Sequence, residues 1–599
     1  MSQESPVTPG MKRRDFLKFG PAAAAASMGL SASANAATGT ASATSDTAST
    51  MFKKRPNIVF VFSDEHRWQS LPFTEMPECV APNMTKLAQQ GTRFDNTCAT
   101  SPVCTPFRGI LLTGQWPHQS GYISNDTVTR TDAIGVSTPT IAHMFKDAGY
   151  QTGYVGKWHL MNETCQHAGF DTFKHWLYGD NHWETEVRDI PSGEAFKTVT
   201  GYNAVGMTDQ AIDFVNENAG GDKPFMLMLS LNPPHWRWDD SPEEFYALYP
   251  DDNLPYRPNV EDKQRNTPKQ HEFYRHYHGH ISAVDRELGR MMDALDAAGI
   301  ADDTILIYTS DHGSSFGSNG VYNKGNPYDE AVRVPFIVRW PGKVPAGAIA
   351  EHNLGTIDLV PTLCGLAGFE APAHCTGQGF TKAFLGQPGA PDPESQFLII
   401  NNFKRNYYRS RLMDDERSDF NPFRAVRGKR YTYAVDRFGD WFLYDNKADP
   451  FQMKNLANDP AHAKIRDKMA AELDAWLAKA EDPFIDESLR SSDYGQRVRI
   501  QNEYYSLEDS FGQWEQLKND ALQPYLARAN AAQKQQFEAL GSDIFDLNWF
   551  GEWKALDYEL TTKRRSTNLS KEELQTKQDA LNLQTNEKLT AGAEKILAA

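Results

Sequence analysis

Two apolar runs without polar alternation constrain this chain more than any other feature. The first, N-I-V-F-V-F over 57–62, ends in Ser63-Asp64-Glu65. The second, T-I-L-I-Y-T over 304–309, ends in Ser310-Asp311-His312-Gly313. A strand that is apolar on both faces must be covered on both, as a central strand of a parallel sheet is. The polar residues closing each run then fall at the carboxyl edge of the sheet, where α/β folds place their ligand crevices. Two adjacent carboxylates there, Asp64 and Glu65, suit a hard divalent cation, which takes oxygen ligands.

The rest of the first 395 residues repeats the pattern. Gly153-Tyr154-Val155 and the run from Pro224 to Ser230 read as strands, each followed by a polar motif. Met84 to Gln90 and Thr140 to Ala148 read as helices stopped by Gly91 and Gly149, and longer helices fit 207–218 and 270–298. Strands alternating with helices predict an α/β fold, a large mostly parallel sheet flanked by helices over 56–395. After residue 395 short strands recur with turns between them, followed by a helix from Pro460 to about Ala480. That grammar predicts a smaller C-terminal α+β subdomain over 396–485. Residues 486–599, rich in Gln, Glu, Lys, Ala and Leu, read as a helical extension.

Composition narrows the function. The 599 residues allow several domains at roughly 150 residues each. A formal charge of −17 argues against a nucleic-acid partner, since phosphate neutralisation needs a basic face. A polyanionic substrate would need a local basic pocket. Six cysteines with no C-x-x-C pairing imply neither a disulfide framework nor a cysteine-bound zinc.

The stretch S-P-V-C-T-P-F-R-G-I-L-L-T-G over 101–114 holds Cys104 and, one helical turn later on the same face, Arg108. In register with G-K-W-H-L over 156–160, Asn232-Pro233-Pro234-His235, and Asp311-His312-Gly313, it resembles the C-x-P-x-R signature of the type I sulfatases, a family of alkaline phosphatase-like fold. The resemblance covers roughly residues 55–485. It implies that Cys104 is oxidised to formylglycine by a formylglycine-generating maturation enzyme. The aldehyde hydrate then offers one hydroxyl for attack on sulfur and keeps another for release. It further implies a Ca2+ site of Asp64, Glu65, residue 104, Asp311 and His312. Lys157 and Lys324 would stabilise sulfate oxygens, His159 would act as base, and His235 or Lys324 would protonate the departing alcohol. Phe107 departs from the family, where Ser or Ala is usual. Glu65 stands where Asp or Gln is usual.

Two basic–aromatic segments suggest a sulfated glycan substrate: Trp236-Arg237-Trp238, directly after His235, and F-K-R-N-Y-Y-R-S-R over 403–411, which contains Arg409. Phosphonate monoester or phosphodiester hydrolysis on the same scaffold, and a non-catalytic glycan-binding role, are the alternatives.

The first 36 residues read as an address. K-R-R-D-F-L-K over 12–18, a weakly apolar stretch from Pro21 to Leu30, and Ala34-Asn35-Ala36 as an A-x-A cleavage site resemble a twin-arginine signal. That implies the Tat translocase as a partner and a periplasmic or secreted location. Residues 37–55 read as a flexible leader. With no apolar run of eighteen or more residues, no transmembrane anchor is expected in the mature chain.

Overall fold

The computed structural model describes residues 54–125, 127–128, 134–160, 165–176, 181–189, 197–250, 254–400, 422–436, 439–482, 522–526, 528–530, 533–534 and 571–598. The N-terminal export segment and residues 403–411, Arg409 included, lie outside them. Four strands form the middle of a ten-stranded sheet: β1 (Asn57–Ser63), β2 (Gln151–Lys157), β3 (Phe225–Ser230) and β4 (Thr304–Ser310), in the order β4-β1-β3-β2. All three of these pairings are parallel. Antiparallel strands extend the sheet on both sides, Phe336–Arg339 beside β4 and Trp183–Asp189 beyond Thr172–Trp176.

Every residue of β1, β3 and β4 is buried, as the unbroken apolar runs require. Helices cover both faces. Alternate β1 residues Ile58, Phe60 and Phe62 enter one core, and Val59 and Val61 enter the other. The first core includes helix α1 (Cys104–Thr113), buried along its whole length. The second includes the long helix α2 (Pro268–Ala297). This is the expected α/β architecture of alkaline phosphatase-like folds, with a C-terminal subdomain.

That subdomain contains a four-stranded antiparallel meander, Ser395–Ile400, Phe423–Gly428, Tyr431–Asp436 and Gly439–Asp445. Helix Ala463–Lys479 packs Leu473, Trp476 and Leu477 on one of its faces. The other face carries Leu398, Ala425 and Phe442 to Val103, next to residue 104. Lys571–Ala598 is helical, within the segment expected to be so. Among the described residues no helix is long and apolar enough to cross a membrane.

The unusual Phe107 has a structural role. It is 1% exposed, with its ring centroid 6.2 Å from that of Phe62, and fills the core between α1 and β1. Phe107→Ala should leave a cavity and cost about 3–5 kcal/mol of unfolding free energy, read from the urea midpoint. An unchanged midpoint would contradict this packing.

Candidate active site

The site is a consequence of strand register. Ser63 pairs with Ser310, so Asp64 and Asp311 leave the sheet side by side. The Asp311 amide donates to the Ser63 carbonyl at 3.1 Å, and the Glu65 amide donates to Asp311 Oδ1 at 3.0 Å. Glu65 adopts a left-handed backbone, φ 74°, fixed by the Tyr277 hydroxyl donating to its carbonyl at 2.8 Å. Gly156 lets β2 approach β3: a Cβ there would lie 2.0 Å from the Ser230 carbonyl oxygen. That approach delivers Lys157 to the same edge.

α1 projects Cys104 and Arg108 into this edge, as the i, i+4 spacing predicts, but the guanidinium reaches past residue 104. Arg108 Nη2 lies 3.0 Å from Asp64 Oδ2 and 3.2 Å from Asp311 Oδ2. Its Nη1 donates to Ser230 Oγ at 2.8 Å and to the Lys157 carbonyl at 2.5 Å. Lys157 Nζ is 2.7 Å from Asp64 Oδ2 and donates to Asn232 Oδ1 at 3.1 Å. Around Cys104 Sγ stand His312 Nε2 at 3.1 Å and Lys324 Nζ at 3.2 Å, and Lys324 also reaches Glu65 Oε2 at 3.1 Å. His312 Nδ1 donates to the Gly313 carbonyl at 2.9 Å, so in the neutral ring the Nε2 lone pair faces Cys104.

His159 reaches the site by a route different from the extended alternation expected of it. β2 ends at Lys157, and His159 turns at φ 54°. Its carbonyl accepts from Thr105 Oγ1 at 2.7 Å, and its imidazole is hydrogen-bonded to Cys104. His235 Nδ1 donates to the Trp236 carbonyl at 2.7 Å, which directs Nε2 toward Glu65 Oε2 at 3.7 Å and Asp64 Oδ1 at 3.9 Å.

These groups shift one another strongly. Burial alone would raise Asp64, but Lys157, His235, Lys324 and His312 hold it well below the usual carboxylate range. Burial and the Asp64 charge beside it push Asp311 up to about 7. His312 is raised to about 9 against the effect of burial, chiefly by Asp311. Burial and Asp64 oppose ionisation of Cys104, yet Lys324, His312 and Lys157 bring its thiol well below its ordinary value. Burial keeps His159 below the ordinary imidazole value, hence neutral near pH 7.

Two overlapping clusters here could hold a metal ion, Asp64–Cys104–Asp311–His312 and Asp64–Glu65–His235. The donors fit a divalent cation. Three carboxylates converge, and Glu65 Oε1 is buried with no hydrogen-bond partner among the described residues.

The suggested substrate contacts need correction. Trp238 is 3% exposed, belongs to the core, and packs on Phe273, Tyr277 and Phe316. Its indole N–H donates to the Pro234 carbonyl at 2.8 Å, so it has no free face for a sugar. Trp236 is half-buried, edge-on to Trp238 and Phe273. Arg237 is exposed and pairs with Asp239 at 3.2 Å. Two contributors named in the sequence reading were given no role there, Ser230 and Asn232. Their position at the end of an apolar run was the available signal.

A sheet edge that gathers a basic basin and carboxylates around a buried residue at a helix start is the arrangement of an alkaline phosphatase-like hydrolase. Residues 56–369 match the sulfatase family model, and residues 317–479 match that of the N-sulphoglucosamine sulphohydrolase C-terminal region. The chain belongs to the sulfatase family and is a sulfuric ester hydrolase. An ulvan-active sulfatase of Formosa agariphila is 29% identical over 450 residues, 74% of this chain and 83% of that protein. The N-acetylglucosamine-6-O-sulfatase of Bacteroides thetaiotaomicron is 26% identical over 535 residues, 75% and 91% of the two chains. A solved structure described with the metabolism of multiple glycosaminoglycans by Bacteroides thetaiotaomicron superposes with a TM-score of 0.65 at 26% identity, covering 73% of this chain and 99% of that one. The phosphonate monoester hydrolase of Agrobacterium radiobacter shares the fold, with a TM-score of 0.57 at 21% identity over 72% and 97% of the chains.

The shifts predict how pH and cation act together. Without a cation, folded Asp311 keeps a proton that the unfolded chain has already lost. Its contribution to stability therefore falls as pH rises from about 4 through 7. Raised His312 acts in the same direction through about 9. A bound divalent cation reverses the loss by favouring ionised Asp311 and neutral His312. Ca2+ added to chelated protein should raise Tm by several degrees more at pH 8 than at pH 5.5. Equal shifts at both pH values would contradict this.

Proposed function

We propose that the chain hydrolyses sulfate esters of glycans, R–O–SO3− plus water giving alcohol and sulfate, with residue 104 as the nucleophile after maturation to formylglycine. The observation that carries this reading is the convergence of Lys324, His312 and His159 on Cys104. Asp64, Glu65, Asp311 and His312 would hold a Ca2+ ion, which supplies positive charge for the sulfate oxygens. The hydrated formylglycine supplies a geminal diol, one hydroxyl to attack sulfur and one whose deprotonation expels sulfate.

The surrounding side chains divide the remaining work. Lys324 holds a cationic charge beside residue 104, and Lys157 holds another against Asp64. Both lie where negative charge grows as the S–O bond lengthens. Neutral His159, hydrogen-bonded to residue 104, takes the second diol proton. His235 Nδ1 donates to the Trp236 carbonyl, so Nε2 is the nitrogen turned to the site. As the imidazolium, His235 gives its Nε2 proton to the departing oxygen and returns to the neutral ring, with Lys324 as the other donor in reach. Arg108 holds Asp64 and Asp311 in place.

Support for a glycan comes from the relatives' names: ulvan-active sulfatase, N-acetylglucosamine-6-O-sulfatase and endo-4-O-sulfatase. Arg237 adds to it. Its exposed pair with Asp239 is weak, worth at most about 1 kcal/mol, so the guanidinium can exchange that partner for a sulfate or carboxylate. The twin-arginine-like segment supports export through the Tat translocase to the periplasm or beyond.

Leaving-group chemistry tests the mechanism. Sugar alkoxides need a proton to depart and activated phenolates do not. His235→Ala should cut kcat roughly a hundredfold on a sulfated sugar but far less on 4-nitrophenyl sulfate. Cys104→Ala should abolish turnover of both. Equal losses for His235→Ala on the two substrates would remove its role as acid. Higher wild-type turnover on phosphonate monoesters or phosphodiesters than on sulfates would overturn the sulfatase reading.

The glycan reading has its own test. Arg237→Ala should raise KM for a sulfated oligosaccharide several-fold and spare 4-nitrophenyl sulfate. No change on either substrate, or the same change on both, would contradict it.

A further inference from the structure

Beside the loop that carries His235, three side chains converge that the hydrolytic site does not use. His182 precedes strand Trp183–Asp189, Asp240 ends the loop after β3, and His280 lies on α2. His182 Nδ1 is 2.8 Å from Asp240 Oδ1, and His280 Nε2 is 3.3 Å from the same oxygen. The Arg237 carbonyl oxygen lies 3.1 Å from His280 Nε2. The two imidazole rings are 4.3 Å apart, and both are fully buried.

Two features set this cluster apart from an ordinary hydrogen-bonded core. No lysine or arginine among the described residues forms an ion pair with Asp240, although that carboxylate is largely covered. A covered carboxylate between two imidazoles lacks the positive charge that burial normally demands. Second, His182, Asp240 and His280 each turn a metal-ligating atom to one place, with these atoms within 4.8 Å of one another. The donor spacing is also informative. A tetrahedral zinc ion with bonds of about 2.0–2.1 Å sets its ligand atoms roughly 3.3 Å apart.

We propose that His182 Nδ1, Asp240 Oδ1, His280 Nε2 and the Arg237 carbonyl form a second metal site, for zinc, separate from the cation site at Asp64. The donor set, two imidazoles with two oxygens, suits zinc better than calcium. Outer contacts hold the ligands in place. Tyr202 Oη lies 2.7 Å from His280 Nδ1, Trp183 Nε1 donates to the Asp240 carbonyl at 2.7 Å, and the Asn203 amide donates to the His182 carbonyl at 2.7 Å. The Asp240 side chain keeps 16% of its surface exposed, which leaves the ion a way in. A metal here would tie the loop bearing His235 and Arg237 to α2 and to the sheet edge, fixing the rim of the hydrolytic site.

Metal binding to the mature enzyme, free of any polyhistidine tag, tests the site directly. The protein is treated with chelator, restored with excess Ca2+ so that the Asp64 cluster is filled, and titrated with Co2+. Wild type should bind one equivalent and show the visible bands of a four-coordinate ion, which Zn2+ displaces. His182→Gln and His280→Gln should each weaken binding on the order of a hundredfold. X-ray absorption of the zinc-loaded wild type should show two imidazole ligands, an outcome that does not depend on either variant folding. Absence of Co2+ and Zn2+ binding by wild type, binding unchanged in both folded variants, or a zinc shell without two imidazoles would overturn the proposal.

Discussion

The contact on which the rest of the site depends is the Arg108 guanidinium lodged between Asp64 and Asp311. All three groups are removed from water, and each buried ion carries a desolvation penalty of several kcal/mol unless it is paired and fully hydrogen-bonded. The pairing is enforced by backbone. The parallel register of β1 and β4 sets the carboxylates abreast, and α1 brings the guanidinium to them with its second arm on β2 and β3. Three buried carboxylates, Asp64, Glu65 and Asp311, face three cationic side chains, Arg108, Lys157 and Lys324. Carboxylates and lysine or arginine side chains are thus matched in number, with His312 beside them. A divalent ion would make the basin net positive, which is what a sulfate ester monoanion requires inside a protein of charge −17.

The C-terminal meander supports this arrangement from the outside. Arg427, on its second strand, makes two 2.7 Å bonds to Asp329. Asp329 opens the short helical turn Asp329–Val332, a few residues beyond Lys324. A bidentate buried pair of this kind has a fixed geometry, and it ties the Lys324 loop to the second sheet. The same sheet packs against Val103, so the residue preceding Cys104 is held by both parts of the molecule.

How much of this was legible follows from which residues are neighbours in sequence. Asp64 and Asp311 were readable because each closes an apolar run that can only be a central strand. Cys104 and Arg108 were readable because four positions make one helical turn. Lys157 followed from a distinctive word. Its companion His159 does stand beside Cys104, but through a left-handed turn rather than the extended alternation expected, and such a turn leaves no clear mark in the sequence. Trp238 was misread as a stacking platform. A tryptophan between polar residues looks the same whether its ring turns outward or, as here, into a cluster with Phe273 and Phe316. The His182–Asp240–His280 cluster was invisible, since its members come from three elements and His182 lies 58 positions from Asp240. Only the fold brings them together.

The account rests on the chemistry of residue 104, and one measurement addresses it most directly. Protein recovered from the periplasm or medium of a host with the maturation enzyme is digested, and the peptide spanning Ser101 to Arg108 is weighed by mass spectrometry after exposure to a hydrazide reagent. The account predicts a peptide lighter than the cysteine form by the change from thiol to aldehyde, and an adduct with the hydrazide. An active enzyme whose peptide retains an unmodified thiol at residue 104 would contradict it.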